Sequence, residues 1–258
     1  MDSDSSLPEN HCQDYLLAAW TNKPDNVRAV TTLRSGGFSQ GDYAAYNLAT
    51  HVGDDLQAVI KNRAKLRHDL QLPAAPVWLD QMHSNQVFEA SNPSLNASMP
   101  QADASVSQQK GVVCAVLTAD CLPVFFCNQS GTEVAVAHAG WRGLHAGIIA
   151  NTIAAMKSPA SEILISFGPA IGPRSFEVGR DVFTAFVEKN EGNEKAFTPT
   201  TKAHYFCDIY QLARIELQAL GVEHIAGGNF CSYRENERFY SFRRKPVTGR
   251  MAHLIWFL

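Results

Sequence analysis

The stretch "GVVCAVLTADCLPVFF", Gly111 to Phe126, carries the reading of the fold. Val112–Leu117 and Leu122–Phe126 are two strand patterns, and Asp120-Cys121 interrupts them with a carboxylate and a thiol. Both runs are apolar on successive residues rather than alternating. That pattern marks strands covered on both faces. The same holds for 133–137 within "TEVAVAHAG" (132–140) and for 162–167 within "EILISFG" (162–168).

Covered strands need helices or a second sheet to cover them. Outward from this centre, helical spacing is found at 55–70, where Asp54 can cap and Leu56, Val59, Ile60 and Leu70 make an apolar face. "LHAGIIANTIAAM" (144–156), "RDVFTAFVEKN" (180–190) and "DIYQLARIELQALG" (208–221) read as helices, the last with Asp208 and Gly221 at its ends. A β-branched strand opens 26–55 and gives way to a polar loop. "PVWLDQMHSNQVFEA" (76–90) reads as two strand pieces around a turn, and 91–110 as surface loop. "HLIWFL" closes the chain as a strand. The expectation is a single α+β or α/β domain of several layers over residues 16–258, preceded by a disordered tail at 1–15.

Composition narrows the function classes. The chain has 258 residues, 45% of them apolar, and a formal net charge of −3 with the basic residues dispersed. This argues against a nucleic-acid or membrane-surface binder. No run reaches the ~18 apolar residues of a membrane span. The acidic N-terminus lacks the pattern of a signal peptide. A cytoplasmic protein is expected, with its six cysteines reduced. None of them forms a C-x-x-C pair.

Three residues stand where strand patterns meet turns: His83, Cys121 and His138. Two imidazoles and a thiolate are a good zinc set, and three protein ligands leave a fourth position open, as in catalytic sites. The gaps of 38 and 17 positions are no short zinc motif. A buried cysteine acting as a small hydrophobe, with two hydrogen-bonded structural histidines, explains the same residues. Asp120 needs a partner if buried. The glycines around Trp141-Arg142 allow a turn into a helix at 144, whose start plus Arg142 would make an anion cradle. A solvated or structurally paired Arg142 is the equal alternative. Two further polar sets have some anion-binding potential: Arg34, Ser35, Asn47, His51 and Asp54 in one loop, and Arg243, Arg244 and Arg250 near Tyr240 in another.

Taken together, "LRSGGFSQGDYAAYNLATHVGDD" (33–55), "VWLDQMHSNQV" (77–87), "TADCLPVFF" (118–126), "AVAHAGWRGL" (135–144), "GPAIGPRSFEVG" (168–179), "DIYQLA" (208–213) and "FYSFRRKPVTGRMA" (239–252) closely resemble the YfiH-type family. Its members are labelled polyphenol oxidase or laccase-domain proteins and are also treated as purine nucleoside phosphorylases. The resemblance spans roughly 27–258. It implies a four-layer α/β/β/α sandwich with mixed sheets, and zinc held by His83, Cys121 and His138. It implies phosphorolysis of adenosine, inosine, guanosine and methylthioadenosine, with phosphate as co-substrate, and deamination of adenosine. Some members have been linked to copper-dependent phenol oxidation, and one bacterial member to peptidoglycan-precursor quality control. Two departures are visible. Met82 and Ser84 flank the first histidine where Val and Gly are frequent, and Arg174-Ser175 replaces a frequent Cys-Cys pair.

The residues favour nucleoside chemistry over laccase chemistry. Several copper centres would draw on His-x-His pairs, and the sequence has none. Copper binding at the one site remains credible, because copper(II) generally outcompetes zinc at N/S ligands. For phosphorolysis, Arg142 is the expected phosphate ligand, with Arg34 or Arg243 as alternatives. Asn47, Asp120 and His51 are candidates for the nucleoside itself, and Asp120 for proton transfer during deamination. The usual nucleobase-deaminase signature is absent. The rivals are a metal-free cysteine hydrolase with Cys121 as nucleophile, and a non-catalytic zinc or partner-binding protein. The expected partners are small molecules, with no nucleic acid, membrane or partner protein indicated.

Overall fold

The computed structural model describes residues 14–20, 22–91 and 99–258. Most of the expected N-terminal tail lies outside the described residues. Tyr15, which the sequence reading placed in that tail, is the first residue of strand β1 (Tyr15–Leu17).

Two sheets form the centre. β1, β2 (Val27–Thr32), β5 (Cys114–Thr118) and β13 (Met251–Phe257) make an antiparallel sheet in the order β1-β2-β13-β5. β3 (Val87–Glu89), β4 (Ala104–Ser107), β6 (Leu122–Asn128), β7 (Val134–Ala139), β8 (Ile163–Phe167) and β12 (His224–Gly227) make a six-stranded sheet in the order β12-β8-β6-β7-β4-β3. It is mixed: the two edge pairs are parallel and the inner pairs antiparallel.

Strand alternation builds the layers. Cys114 and Val116 of β5 and Ile255 and Phe257 of β13 pack with Phe125, Cys127, Val134 and Val136 of the second sheet. The opposite faces of β5 and β13 carry Ala115, Leu117, Leu254 and Trp256, which pack with Leu66 and Leu70 of helix α1 (Leu56–Asp69) or the residue following it. The outer face of the six-stranded sheet carries Val124, Phe126, Ala135, Ala137 and Ile165. It is covered by Ile148 and Ile149 of α3 (Ile148–Ala155) and by Leu212, Ala213 and Leu217 of α5 (Ile209–Ala219). The result is the four-layer α/β/β/α sandwich. Each Val, Leu, Ile or Phe so buried contributes about 1.5–3 kcal/mol. A small antiparallel sheet, β9 (Glu177–Gly179), β11 (His204–Cys207) and β10 (Phe197–Pro199), sits beside α4 (Arg180–Lys189).

This topology explains the interrupted strand. β5 belongs to one sheet and β6 to the other, so Asp120-Cys121 is where the chain crosses between β layers. Asp120 takes a left-handed φ of 95° to make the step. For a non-glycine residue that conformation costs on the order of 1–3 kcal/mol and persists only where the surroundings enforce it.

Several expectations need correcting. α1 is capped by Asp55, whose side chain accepts from the Gln57 N–H, and not by Asp54. Leu56 and Ile60 are exposed, since the buried face runs through Val59, Asn62 and Leu66. The helix read at 144–156 is two helices, α2 (Trp141–Ala146) and α3, parted at Gly147 with φ 92°. Residues 76–90 hold only the short β3, with isolated bridges at Val77 and Asp80. The 91–110 segment is not all surface loop: β4 within it is wholly buried. Its sequence, ASVS, hides this by burying serines; Ser107 compensates by donating to the Ala90 carbonyl at 2.8 Å. Residues 92–98 of that segment lie outside the described residues. Among the described residues no helix is long and apolar enough to cross a membrane.

Candidate metal centre and its cavity

His138 sits in β7, opposite Pro123 of β6, so the sheet register sets it beside Cys121, the residue just before β6. His83 reaches the same point from the turn after the Asp80 bridge, with a left-handed φ of 61°. The ligand atoms of His83, Cys121 and His138 all lie within 4.8 Å of one another. Cys121 Sγ is 3.8 Å from His83 Nε2, and the two imidazole rings are 4.7 Å apart at 70°. His138 is buried and His83 exposed, so the cluster opens on one side.

A residue that the sequence reading missed holds this arrangement. Asp103, fully buried, accepts from the backbone N–H groups of Met82, His83 and Ser84 at 3.2, 3.0 and 2.6 Å, and from the Ser84 hydroxyl at 2.6 Å. It also bonds His138 Nδ1 at 2.8 Å. One carboxylate therefore fixes the turn carrying His83 and the ring of His138, leaving His138 Nε2 free to ligate. Gly140 is equally specific. A Cβ there would stand 2.9 Å from Cys121 Sγ and 3.0 Å from His83 Cδ2. The donor set, its mutual distances and its carboxylate–histidine support fit a metal ion with an open coordination position.

Electrostatics agree with this. Burial works to raise the Cys121 thiol, but the charge of His138 and the hydrogen bonds from both histidines outweigh it and bring it down to about 6. Burial works to lower His138, and Cys121 with Asp103 lifts it to about 9. Burial would likewise raise the Asp103 carboxyl; hydrogen bonds from His138 and Ser84 hold it well below the usual carboxylate range instead. The thiolate that a metal needs is thus already favoured.

The cluster forms part of the wall of a cavity of about 280 Å³. Of the other residues singled out in the sequence, His51, Asp120 and Arg243 line it, and so does Arg250. Arg142, Arg34 and Asn47 do not. Arg142 is exposed and lies over its neighbour Trp141 at 4.4 Å. α2 begins at Trp141 rather than at 144, which puts Arg142 in the first turn instead of in a loop before it. Arg34 is bound by the carbonyls of Ala44 and Asn236. Asn47 is fully buried, bridging Asp54, Ala49 and the Arg250 N–H. Asp120 faces the cavity, but both its oxygens are engaged, by the Ser232 hydroxyl at 2.6 Å and the Arg243 N–H at 2.7 Å. These bonds enforce its left-handed backbone.

Two aromatic residues in the cavity wall also went unread. Phe176 lies under the Arg243 guanidinium at 5.5 Å, and Phe242 under that of Arg250 at 5.9 Å.

The sequence profile of the family described as multi-copper polyphenol oxidoreductase laccase matches residues 28–258. The chain belongs to this laccase family. Family members similar to it include the purine nucleoside phosphorylase of Pseudomonas aeruginosa, 49% identical over 94% of this chain and 98% of the relative. The purine nucleoside phosphorylase YfiH of Escherichia coli is 47% identical over 92% of this chain and 96% of the relative. Among solved structures, a Neisseria meningitidis protein superposes with a TM-score of 0.90 at 46% identity, covering 95% of this chain and 99% of the other. YlmD from Geobacillus stearothermophilus gives 0.83 at 29%, covering 90% and 92%. The YfiH-type resemblance read from the motifs and the laccase-family match are thus one grouping. Its multi-copper description meets, among the described residues of this member, a single cluster of three His and Cys ligands.

Proposed function

We propose that the protein is a zinc-dependent purine nucleoside phosphorylase. Adenosine, inosine, guanosine and methylthioadenosine are its substrate class, phosphate its co-substrate, and adenosine deamination a second activity of the same site. The observation that carries this reading is the His83–Cys121–His138 cluster sharing a cavity with Arg243 and Arg250. The names of the relatives in Pseudomonas aeruginosa and Escherichia coli support it.

His83, Cys121 and His138 would hold the zinc, which when bound would supply a Lewis acid. The chain's own residues do the rest. Arg243 and Arg250, in place of Arg142, hold the phosphate for attack on C1′. Asp120 positions Arg243 by accepting its main-chain N–H, and so shapes the site without carrying a proton itself. As a phosphate oxygen bonds to C1′, the bond from C1′ to the purine breaks and its electron pair leaves with the base. Arg250 stands close enough to Cys121 and Asp120 that their negative charge works against the downward push of burial on its guanidinium. Zinc is preferred to copper because this reaction changes no oxidation state. The free thiols of the chain suit a reducing cytoplasm.

One observation favours a second reading. Cys121, His138 and Asp103 make a thiol–imidazole–carboxylate series suited to nucleophilic catalysis without metal. One experiment separates the two: zinc-loaded and chelator-stripped protein incubated with inosine and phosphate. Hypoxanthine and ribose 1-phosphate from the loaded form alone support the phosphorylase. No product from the loaded form overturns it, and hydrolysis that survives full stripping supports the nucleophile.

A further inference from the structure

The nucleoside reading leaves open how the leaving base is held, and the cavity answers by elimination. Gln81 spends its amide on the Leu117 peptide, accepting from its N–H at 2.7 Å and donating to its carbonyl at 2.9 Å. Thr118 is bound to the buried His253 at 2.8 Å. Asp120 is taken twice over. His83, Cys121 and His138 face the metal, and the arginines are assigned to phosphate. Among the lining side chains His51 remains, an exposed imidazole whose ring nitrogens have no hydrogen-bond partner among the described residues.

Phe242 is its neighbour across Arg250. The Arg250 guanidinium lies over the Phe242 ring, and its charge also acts on His51. Phe242 is 52% exposed, although its main chain is fixed on both sides. The Ser241 hydroxyl accepts the Arg244 N–H, and Asp120 accepts the Arg243 N–H. A phenyl ring held rigidly at a cavity and left uncovered is a platform for a flat ligand.

Resting on the phosphorylase reading, we propose that Phe242 stacks on the face of the purine and that His51 is the residue that donates to its leaving imidazole edge, at N7. As the C1′–N9 bond breaks, the electron pair enters the purine ring. The His51 imidazolium gives its proton to N7, and the neutral ring left behind regains one from the phosphate, which loses its proton as its oxygen bonds to C1′. No other lining side chain is free to read the 6-position, so amino and oxo purines are accepted alike. Burial and the nearby Arg250 and Arg63 push the His51 imidazole down, with Asp80 opposing, so its imidazolium gives up a proton more readily than a free histidine does.

The test compares inosine with 7-methylinosine, whose base already carries a positive charge and needs no proton at N7. In zinc-loaded His51→Ala, kcat/KM for inosine should fall by roughly 100-fold or more, the scale of a lost general acid. The value for 7-methylinosine should stay near that of the unaltered protein, with zinc content unchanged. Phe242→Ala should raise KM for both. Equal losses on both nucleosides in His51→Ala, or no loss on inosine, overturn the subsite while leaving the phosphorylase intact. Unaltered protein inert to both nucleosides overturns the phosphorylase reading, and the subsite with it.

Discussion

Asp103 and His138 are joined twice: carboxylate to Nδ1 at 2.8 Å, and the Asp103 carbonyl to the His138 N–H at 2.7 Å. Together with the three amides of residues 82–84, this makes Asp103 the common support of both histidines. Asn in its place would lose the charge and half the acceptor capacity while keeping the size. Asp103→Asn should weaken zinc binding by about 10–100-fold, the usual effect of losing such a support. Competition with a chelator of known affinity measures it. Unchanged affinity would show that the cluster is held by its own strands instead.

The metal-free protein should carry a reactive thiol near neutrality. Cys121 in the fold lies at about 6 against 9.0 for the free side chain, so its contribution to stability is present above 9 and is lost as pH falls through about 6. His138 lies at about 9 against 6.5, so its contribution is present below 6.5 and is lost as pH rises through about 9. The pair is therefore a thiolate–imidazolium ion pair between about 6 and 9. Alkylation of metal-free protein should modify Cys121 with a midpoint near pH 6, and zinc should block it. Burial pushes Cys114 and Cys127 up to about 12, which keeps them silent under the same conditions. A midpoint near 9 at Cys121 would refute the ion pair.

The layered core was legible because β5, β6, β7 and β8 are apolar on both faces, a pattern that demands cover on both sides. The grouping of His83, Cys121 and His138 could be suspected because each is a soft or borderline donor near a point where a strand pattern meets a turn. What stayed hidden depended on tertiary contact. Asp103 lies among small residues in "QADASVS", which carry no strand signal, and its role comes from a turn 20 positions upstream. Arg34 and Arg142 resemble Arg243 and Arg250 in sequence. Only the folded chain separates the arginine bound by the Ala44 and Asn236 carbonyls, and the one lying on a neighbouring tryptophan, from the two that line the cavity. Asn47 looked like a substrate ligand because a buried asparagine that ties two loops together uses the same polar atoms.

Gly140 should accept no side chain without loss of metal. Its φ of −62° is open to any residue, so backbone strain is no objection to alanine. The obstacle is the space within 3.0 Å taken by Cys121 Sγ and His83 Cδ2. Gly140→Ala should therefore keep its circular dichroism spectrum but lose zinc affinity by more than about tenfold, as misdirected ligands do. Metal analysis after dialysis against limiting zinc reads the outcome. Full zinc occupancy with native affinity would mean that the ligands have slack to move.

Phosphate should depend on Arg250 and not on Arg142. Arg250 lines the cavity and is anchored by the Thr248 and Gly249 carbonyls at 2.9 and 3.0 Å through one guanidinium nitrogen. A hydrogen bond to a charged group contributes about 1.5–3 kcal/mol, so Arg250→Ala should raise KM for phosphate by roughly 10–100-fold. Arg142→Ala removes an exposed side chain resting on Trp141 and should leave that KM close to native. Steady-state kinetics with varied phosphate and fixed inosine compares the two variants, with zinc content as the control for folding. If Arg142→Ala proved the more damaging, the start of α2 and not the Arg243–Arg250 wall would be the phosphate site, and the chemistry would have to be redrawn around Gly140.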